Sequence, residues 1–206
     1  MGITLQFSGV NCDKMTGISF LLEAGEIKVL HAAGKEEKIA VIDVAIGERR
    51  PDAGTVTLGG AALDTVPLGS IGWVPENGGL ISNLKAWENV TLPLWYHGKR
   101  RVAETEDRVA RLLPMLGVEG GAMERFMASP AGYLVPTDRK RAGLLRGLLL
   151  APKVLVVDAA LFNGVPHGVR AAWAAALDVY VREAEDRSVL VAATDGDAAL
   201  PWTTIE

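Results

Sequence analysis

The chain has 206 residues, 49% hydrophobic and 22% charged, and a net charge of −4 with both signs dispersed along it. That balance argues against wholesale disorder and against a general nucleic-acid binder, which would show a basic face. One cysteine, Cys12, excludes an internal disulfide and a cysteine-based metal site, and fits a reducing compartment.

In chain order, residues 3–10 and 17–22 alternate or run apolar and predict two strands joined by a turn at 11–14. Residues 26–31 predict a short strand. Residues 35–46 have helical spacing, with Ile39, Ile42, Val44, Ala45 and Ile46 on the apolar side and Gly47 closing the helix. Pro51-Asp52-Ala53-Gly54 is a turn into a strand at 55–58, and 70–75 is a further strand. Residues 83–97 mix helical and bent features, broken at Pro93. Residues 102–116 predict an amphipathic helix with Val109, Leu112 and Leu113 on one side and Arg101, Glu104, Asp107, Arg108 and Arg111 on the other. A connection at 117–136 precedes a helix at 138–150, a strand at 153–157, a helix at 168–185 and a last strand at 188–193. Strands alternating with helices imply a mostly parallel sheet covered on both faces, with an antiparallel sheet from the β-rich start. The N-terminus lacks a basic start followed by an apolar run, so no secretory signal is expected. The most apolar stretch, 142–162, is interrupted by Arg146, Lys153 and Asp158 and reads as a buried helix and strand rather than a membrane span. The expectation is a cytoplasmic protein that serves a membrane, if at all, by docking.

Five blocks, in order, resemble the ATP-binding-cassette (ABC) ATPase family: GISFLLEAGEIKVL, GERRPDAGTVTLGG, IGWVPENGGLISNLKAWENVTLPLWYHG, RKRAGLLRGLLLAPKVLVVDAALF and VLVAATDGDAA. The resemblance covers most of the chain. It implies a P-loop NTPase-like α/β fold in one domain over 1–206, with a core and antiparallel β subdomain at about 1–75 and 137–206. A glutamine-loop-like segment and small helical subdomain would occupy about 76–136. The block NGGLISNLKAWENVTLPLWYHG looks most like ATPases of bacterial MCE-type lipid-trafficking systems.

The family's chemical groups are largely replaced. A phosphate loop needs glycines so that backbone N–H groups reach phosphate oxygens, a Lys for the β/γ-phosphates and a Ser or Thr for Mg²⁺. Counting back from Gly47 puts Lys38 at the lysine position, with Ile39 and Ala40 where hydroxyls belong and Glu37 replacing a glycine. The alternative register uses Gly34-Lys35 and puts Glu36 at the hydroxyl. Both registers leave carboxylates at a helix start, which favours negative charge. Either they stand in for phosphate or they are ordinary first-turn residues. Glu76 stands at the family's glutamine, as a potential ligand or as a solvated loop carboxylate. The signature run reads Leu134-Val135-Pro136-Thr137-Asp138, where Pro136 lacks an N–H and Thr137 or Asp138 is left to cap the helix. Asp158 keeps the strand-end aspartate. Ala159 replaces the general base and cannot accept a proton, and Asp195 stands at the switch histidine.

The resemblance therefore implies a degenerate, non-hydrolysing cassette without catalytic residues. No bound cofactor is expected, and any hold on ATP and Mg²⁺ through Gly34, Lys35, Lys38 and Asp158 would be weak. His31, His97 and His167 lack ligand-like spacing, so no metal site is expected. The cluster Leu80, Ile81, Leu84, Trp87, Trp95 and Tyr96 lies where the family receives a membrane subunit, although core packing is an equal reading. The implied partners are an ABC permease, a second ATPase-fold subunit in a homo- or heterodimer, and an MCE-type lipid-binding protein, with no nucleic acid. The implied place is peripheral, at the inner face of the cytoplasmic membrane. An active ATPase with unusual motifs and a cytosolic regulator or scaffold are the alternatives.

Overall fold

A computed structural model describes residues 5–96, 98 and 102–205, without the Val102 side chain. Ile3, His97 and Arg101, which the sequence assigns to a strand, the histidine set and a helix face, lie outside the described residues.

Strands β1 (Leu5–Cys12) and β2 (Met15–Leu22) form a hairpin closed by Asp13 and Lys14. Asp13 takes φ +49°, a left-handed conformation that Asp tolerates in tight hairpin turns. Leu5, Phe7, Val10 and Cys12 point inward while Gln6 and Ser8 face solvent, the period of a half-buried antiparallel strand. Phe7 stacks on Phe20 of β2 with ring centroids 4.5 Å apart. Strands β4 (Ala53–Leu58) and β5 (Ala61–Ala62) complete a four-stranded sheet in the order β2-β1-β4-β5.

The second sheet is parallel. Its order is β6-β7-β8-β3-β9, from β3 (Ile27–His31), β6 (Ile71–Val74), β7 (Val154–Asp158), β8 (Ser188–Ala193) and β9 (Thr203–Ile205). The runs VLVV and SVLVAA are buried on both faces, as parallel strands under two covering layers must be. Val154, Val156, Leu190 and Ala192 face helix α1 (Lys35–Ala45) and the hairpin sheet. Leu155, Val157, Val189 and Val191 face the opposite core, with α5 (Pro136–Leu150) and α6 (His167–Arg182). Strand β9, absent from the sequence prediction, adds an edge beside β3. It is three residues long, too short for a periodic signal.

Helices α2 (Ala86–Tyr96), α3 (Val102–Met115) and α4 (Gly121–Ala128) lead to α5. Three expectations are corrected here. Helix α2 runs through Pro93 to Tyr96, because burial of Val90 and Leu94 in the core outweighs a local breaker. The supposed connection at 117–136 contains α4, whose Phe126 and Met127 are buried. On α1, the buried face is Ala40, Val41, Ile42, Val44 and Ala45, and Ile39 points outward. The segment after β6 packs directly on α5. A Cβ at Gly143 would come 2.3 Å from Gly78, and Arg146 donates to the Gly78 and Gly79 carbonyls at 2.9 and 2.7 Å. No helix among the described residues is long and apolar enough to cross a membrane.

Candidate functional site

The carboxyl ends of β3, β7 and β8 converge, which is where open parallel sheets place ligands. From β3, residues 32–34 lead into α1, and Gly34 is the N-cap. Gly34 is extended (φ −174°), a conformation any residue adopts, and a Cβ there would meet nothing within 4 Å. The glycine freedom that a phosphate loop needs is therefore not used at this position. The helix is already wound at Lys35, so the Lys38 N–H donates to the Gly34 carbonyl at 2.9 Å and has no free direction toward a ligand.

The two register candidates separate in space. Lys35 is exposed at an open hollow of about 520 Å³ shared with Lys14, Ala33, Gly34, Glu36 and Glu37. Two ammonium and two carboxylate groups line it, so its formal charge cancels. Lys14 pairs with Glu36, and Glu37 Oε2 accepts the Ala33 N–H at 2.8 Å. One backbone donor of the loop is thus already taken by a carboxylate of the chain itself.

Lys38 is buried. Its Nζ donates to Asp158 Oδ1 at 2.8 Å and to Asp197 Oδ2 at 3.1 Å, with side-chain exposures of 6% for Lys38, 14% for Asp158 and 6% for Asp197. Asp158 sits at the end of β7 and also accepts the Ala160 N–H at 3.0 Å, which starts the 3-10 turn Ala159–Phe162. Asp197 is the most fully ligated carboxylate of the site. Its Oδ2 accepts from the Thr194 N–H at 2.9 Å and the Thr194 hydroxyl at 3.0 Å, and its Oδ1 accepts from the Asn163 amide at 2.9 Å. Asn163 Oδ1 in turn accepts the Ala198 N–H at 2.9 Å. Burial pushes the Asp197 carboxyl pKa up, but these donors and Lys38 outweigh it and hold it below its ordinary value. Burial likewise presses the Lys38 pKa down, and the two carboxylates reverse that and raise it. The site carries one positive and two negative charges, satisfied within the chain.

Lys140 of α5 anchors the same turn from the other side, donating to the Ala160 and Asn163 carbonyls at 2.9 and 2.8 Å. Ala159 is fully buried and Glu76 is exposed on its loop. Asp195 does not enter the site. It faces solvent, 3.5 Å from His31 Nε2, and the residue that enters from this segment is Asp197, two positions on. Sequence reasoning missed Asp197 and Asn163 because neither stands at a family motif position. The available signal was Gly196, which lets a tight turn bring Asp197 back over the end of β8, where the Asp197 N–H reaches the Thr194 carbonyl.

At the α5 start the expected caps are corrected. Val135 is the N-cap, without a side-chain hydrogen bond, and Pro136 is the first helical residue, a position Pro favours. Asp138 pairs instead with Arg141 one turn on, and Thr137 is half-buried. Tyr133 is 87% and Val135 59% exposed, while Leu134 is half-buried. Of the apolar cluster near α2, Ile81, Trp95 and Tyr96 are exposed, whereas Leu80, Leu84 and Trp87 are half-buried. Part of that cluster is therefore surface and part is packed against the fold.

A magnesium triphosphate held in the family's manner does not fit these residues. Ile39 and Ala40 offer no hydroxyl, Lys38 has its charge engaged twice, and the α1 start presents glutamates. Among the described residues, no group of three or more His, Cys, Asp or Glu could hold a metal ion.

Comparison with known proteins accords with the fold. An ATP-binding subunit of an ABC transporter superposes with a TM-score of 0.79 at 19% identity, covering 93% of this chain and 79% of the other. A Pyrococcus furiosus ABC transporter ATP-binding protein superposes at 0.78 and 15% identity, covering 98% and 96%. Among sequences, a Mycobacterium tuberculosis protein named as a probable ribonucleotide transport ATP-binding protein (mkl) is 28% identical over 172 residues, 77% of this chain and 46% of its own length. The lipoprotein-releasing system ATP-binding protein LolD of Nitrobacter hamburgensis is 30% identical over 161 residues, 74% of this chain and 67% of its own length. The chain thus spans about half the length of the mkl relatives. The family model described as ABC transporter matches residues 15–161. On that match and the relatives' identities, the chain belongs to the ABC transporter family.

Proposed function

We propose that the chain is a non-hydrolysing ABC cassette subunit. It docks on a membrane permease at the inner face of the cytoplasmic membrane and pairs with a second cassette-fold subunit, whose own site supplies the ATP chemistry. The observation that carries this reading is the double engagement of buried Lys38 by Asp158 and Asp197. A triphosphate would have to displace a buried carboxylate to reach that ammonium, and burial makes such a break expensive. Ala159 offers no proton acceptor for an attacking water. The α5 start, with Pro136 lacking an N–H and Asp138 adding charge, is a poor clasp for a phosphate bound by a partner. What the chain supplies is shape: a rigid parallel sheet, α5 fixed to the segment after β6, and exposed Ile81, Trp95 and Tyr96 as anchors for a membrane subunit.

The cargo reading is a lipid system of MCE type, with a lipid-binding protein as further partner. It rests on the resemblance of the block at 77–98. The LolD relative, named for lipoprotein release, supports a lipid-related cargo. The mkl and methionine-import relatives carry other names.

A second reading, a working ATPase with unusual motifs, is favoured by one observation: Lys38 and Asp158 are both retained and within 2.8 Å of each other. Turnover by the purified chain, compared with Lys38→Met, separates the two. The proposal expects no turnover above background in either protein. ATP hydrolysis lost on Lys38→Met would overturn it. Affinity capture of the tagged chain from detergent-solubilised membranes should recover a permease and a second cassette subunit, and their absence would contradict the docking part.

A further inference from the structure

Four donors converge on one carboxylate at the end of β8. Lys38 Nζ, the Thr194 N–H, the Thr194 hydroxyl and the Asn163 amide all lie within 3.1 Å of an Asp197 oxygen. They come from three separate segments: α1, the turn after β8 and the turn after β7. Among the described residues Asp197 is the one acidic group they share, and its side chain is almost fully buried. A ring of N–H, O–H and ammonium donors around one planar anion has the geometry of an oxyanion site. We infer that the chain contains a latent small-oxyanion site whose occupant is its own Asp197, a tethered carboxylate where a free carboxylate or phosphate oxygen would otherwise bind. This deepens the proposed function, because it names what fills the site and why the chain needs no ligand there.

The consequence is conformational. The segment 194–198 is pinned to α1 through Lys38 and to the β7 turn through Asn163, which also accepts the Ala198 N–H. A tethered ligand has an effective concentration far above that of any free anion, so the junction stays closed without one. The three segments then move as one body, which suits a subunit that transmits motion generated elsewhere.

The test is chemical rescue. Asp197→Ala leaves Lys38 paired with Asp158 but the Thr194 and Asn163 donors without their acceptor, and should lower Tm by roughly 6–12 °C, as several unsatisfied buried donors do. Formate or acetate at about 100 mM should restore a substantial part of that loss, because a ligand bound only to the folded state stabilises it. Inorganic phosphate is run in parallel to show whether the ring accepts a larger oxyanion. Chloride at equal ionic strength should restore little, and wild-type protein should respond to formate no more than to chloride. An unchanged Tm in Asp197→Ala, or recovery by formate no better than by chloride, would overturn the inference. Where the variant does not fold in cells, refolding from denaturant in formate and in chloride reads the same quantity: a higher native yield in formate supports the site, and equal yields sink it. These outcomes are independent of ATP turnover by the wild type, which tests the proposed function and leaves the rescue result standing.

Discussion

The β3–α1 junction and the α5 start satisfy their polar groups in opposite ways. At the β3–α1 junction the charged and polar groups are partnered within the chain: Glu37 takes a loop N–H, and Asp158 and Asp197 take Lys38. At the α5 start nothing comparable fills in. Val135 caps without a side-chain bond, Pro136 removes an N–H, and Tyr133 and Val135 stand exposed. A buried cation cannot be left alone, since an unpaired charge in the interior costs several kcal/mol, so Lys38 requires the carboxylates that meet it. An exposed helix start is solvated and carries no such penalty. The first region is self-sufficient, and the second is surface open to a neighbour.

This contrast can be broken experimentally at either end. The largest expected effect is at Lys38. Lys38→Ala leaves Asp158 and Asp197 facing each other in a buried site and should cost about 3–5 kcal/mol by denaturant unfolding. A loss under about 1 kcal/mol would mean the cluster is solvated rather than buried. Next is the contact that fixes α5 to the segment after β6. Gly143→Ala drives a Cβ into the Gly78 backbone and should cost about 1–3 kcal/mol or more through overpacking. The acid limb of stability is a third handle. The Asp197 pKa lies below its ordinary 3.8, so its contribution is complete above that value and disappears as pH falls through the lower folded value. Wild type and Asp197→Asn should therefore differ most near neutrality and converge in strong acid. The groups facing Asp197 are Lys38, Thr194 and Asn163, and Lys38, with its raised pKa, stays charged across that window. The smallest effect belongs to the other region. Tyr133→Ser and Val135→Ser should change the stability of the isolated chain by no more than about 0.5 kcal/mol. A larger loss would show that the signature segment is internally packed.

The same contrast explains what the sequence disclosed. Buried strands announce themselves: VLVV and SVLVAA are continuous apolar runs, and Leu5, Phe7 and Val10 alternate or nearly do. The parallel sheet and hairpin were therefore legible, as were α1, α3, α5 and α6 to within a few residues. Helix α2 was misjudged at Pro93 because tertiary burial overrode a local breaker. Helix α4 and strand β9 are short and sit beside glycines or the chain's end, where periodicity has no room to accumulate. The site was half legible. Lys38 and Asp158 stand at motif positions, but the sequence leaves two lysine registers open, and only the structure separates an exposed Lys35 from a buried Lys38. Asp195 was named for its alignment to a family histidine, whereas the turn at Gly196 delivers Asp197. Replacement groups recruited from outside a motif are invisible to a motif.

The most direct test of the central claim follows the Lys38 side chain itself. In an NMR titration with ¹⁵N- or ¹³C-labelled lysine, Mg²⁺–ATP added to millimolar concentration should leave the Lys38 signal unmoved in the wild type, because Asp158 and Asp197 already hold the ammonium. A saturable shift of that signal, with turnover that Lys38→Met abolishes, would contradict the account.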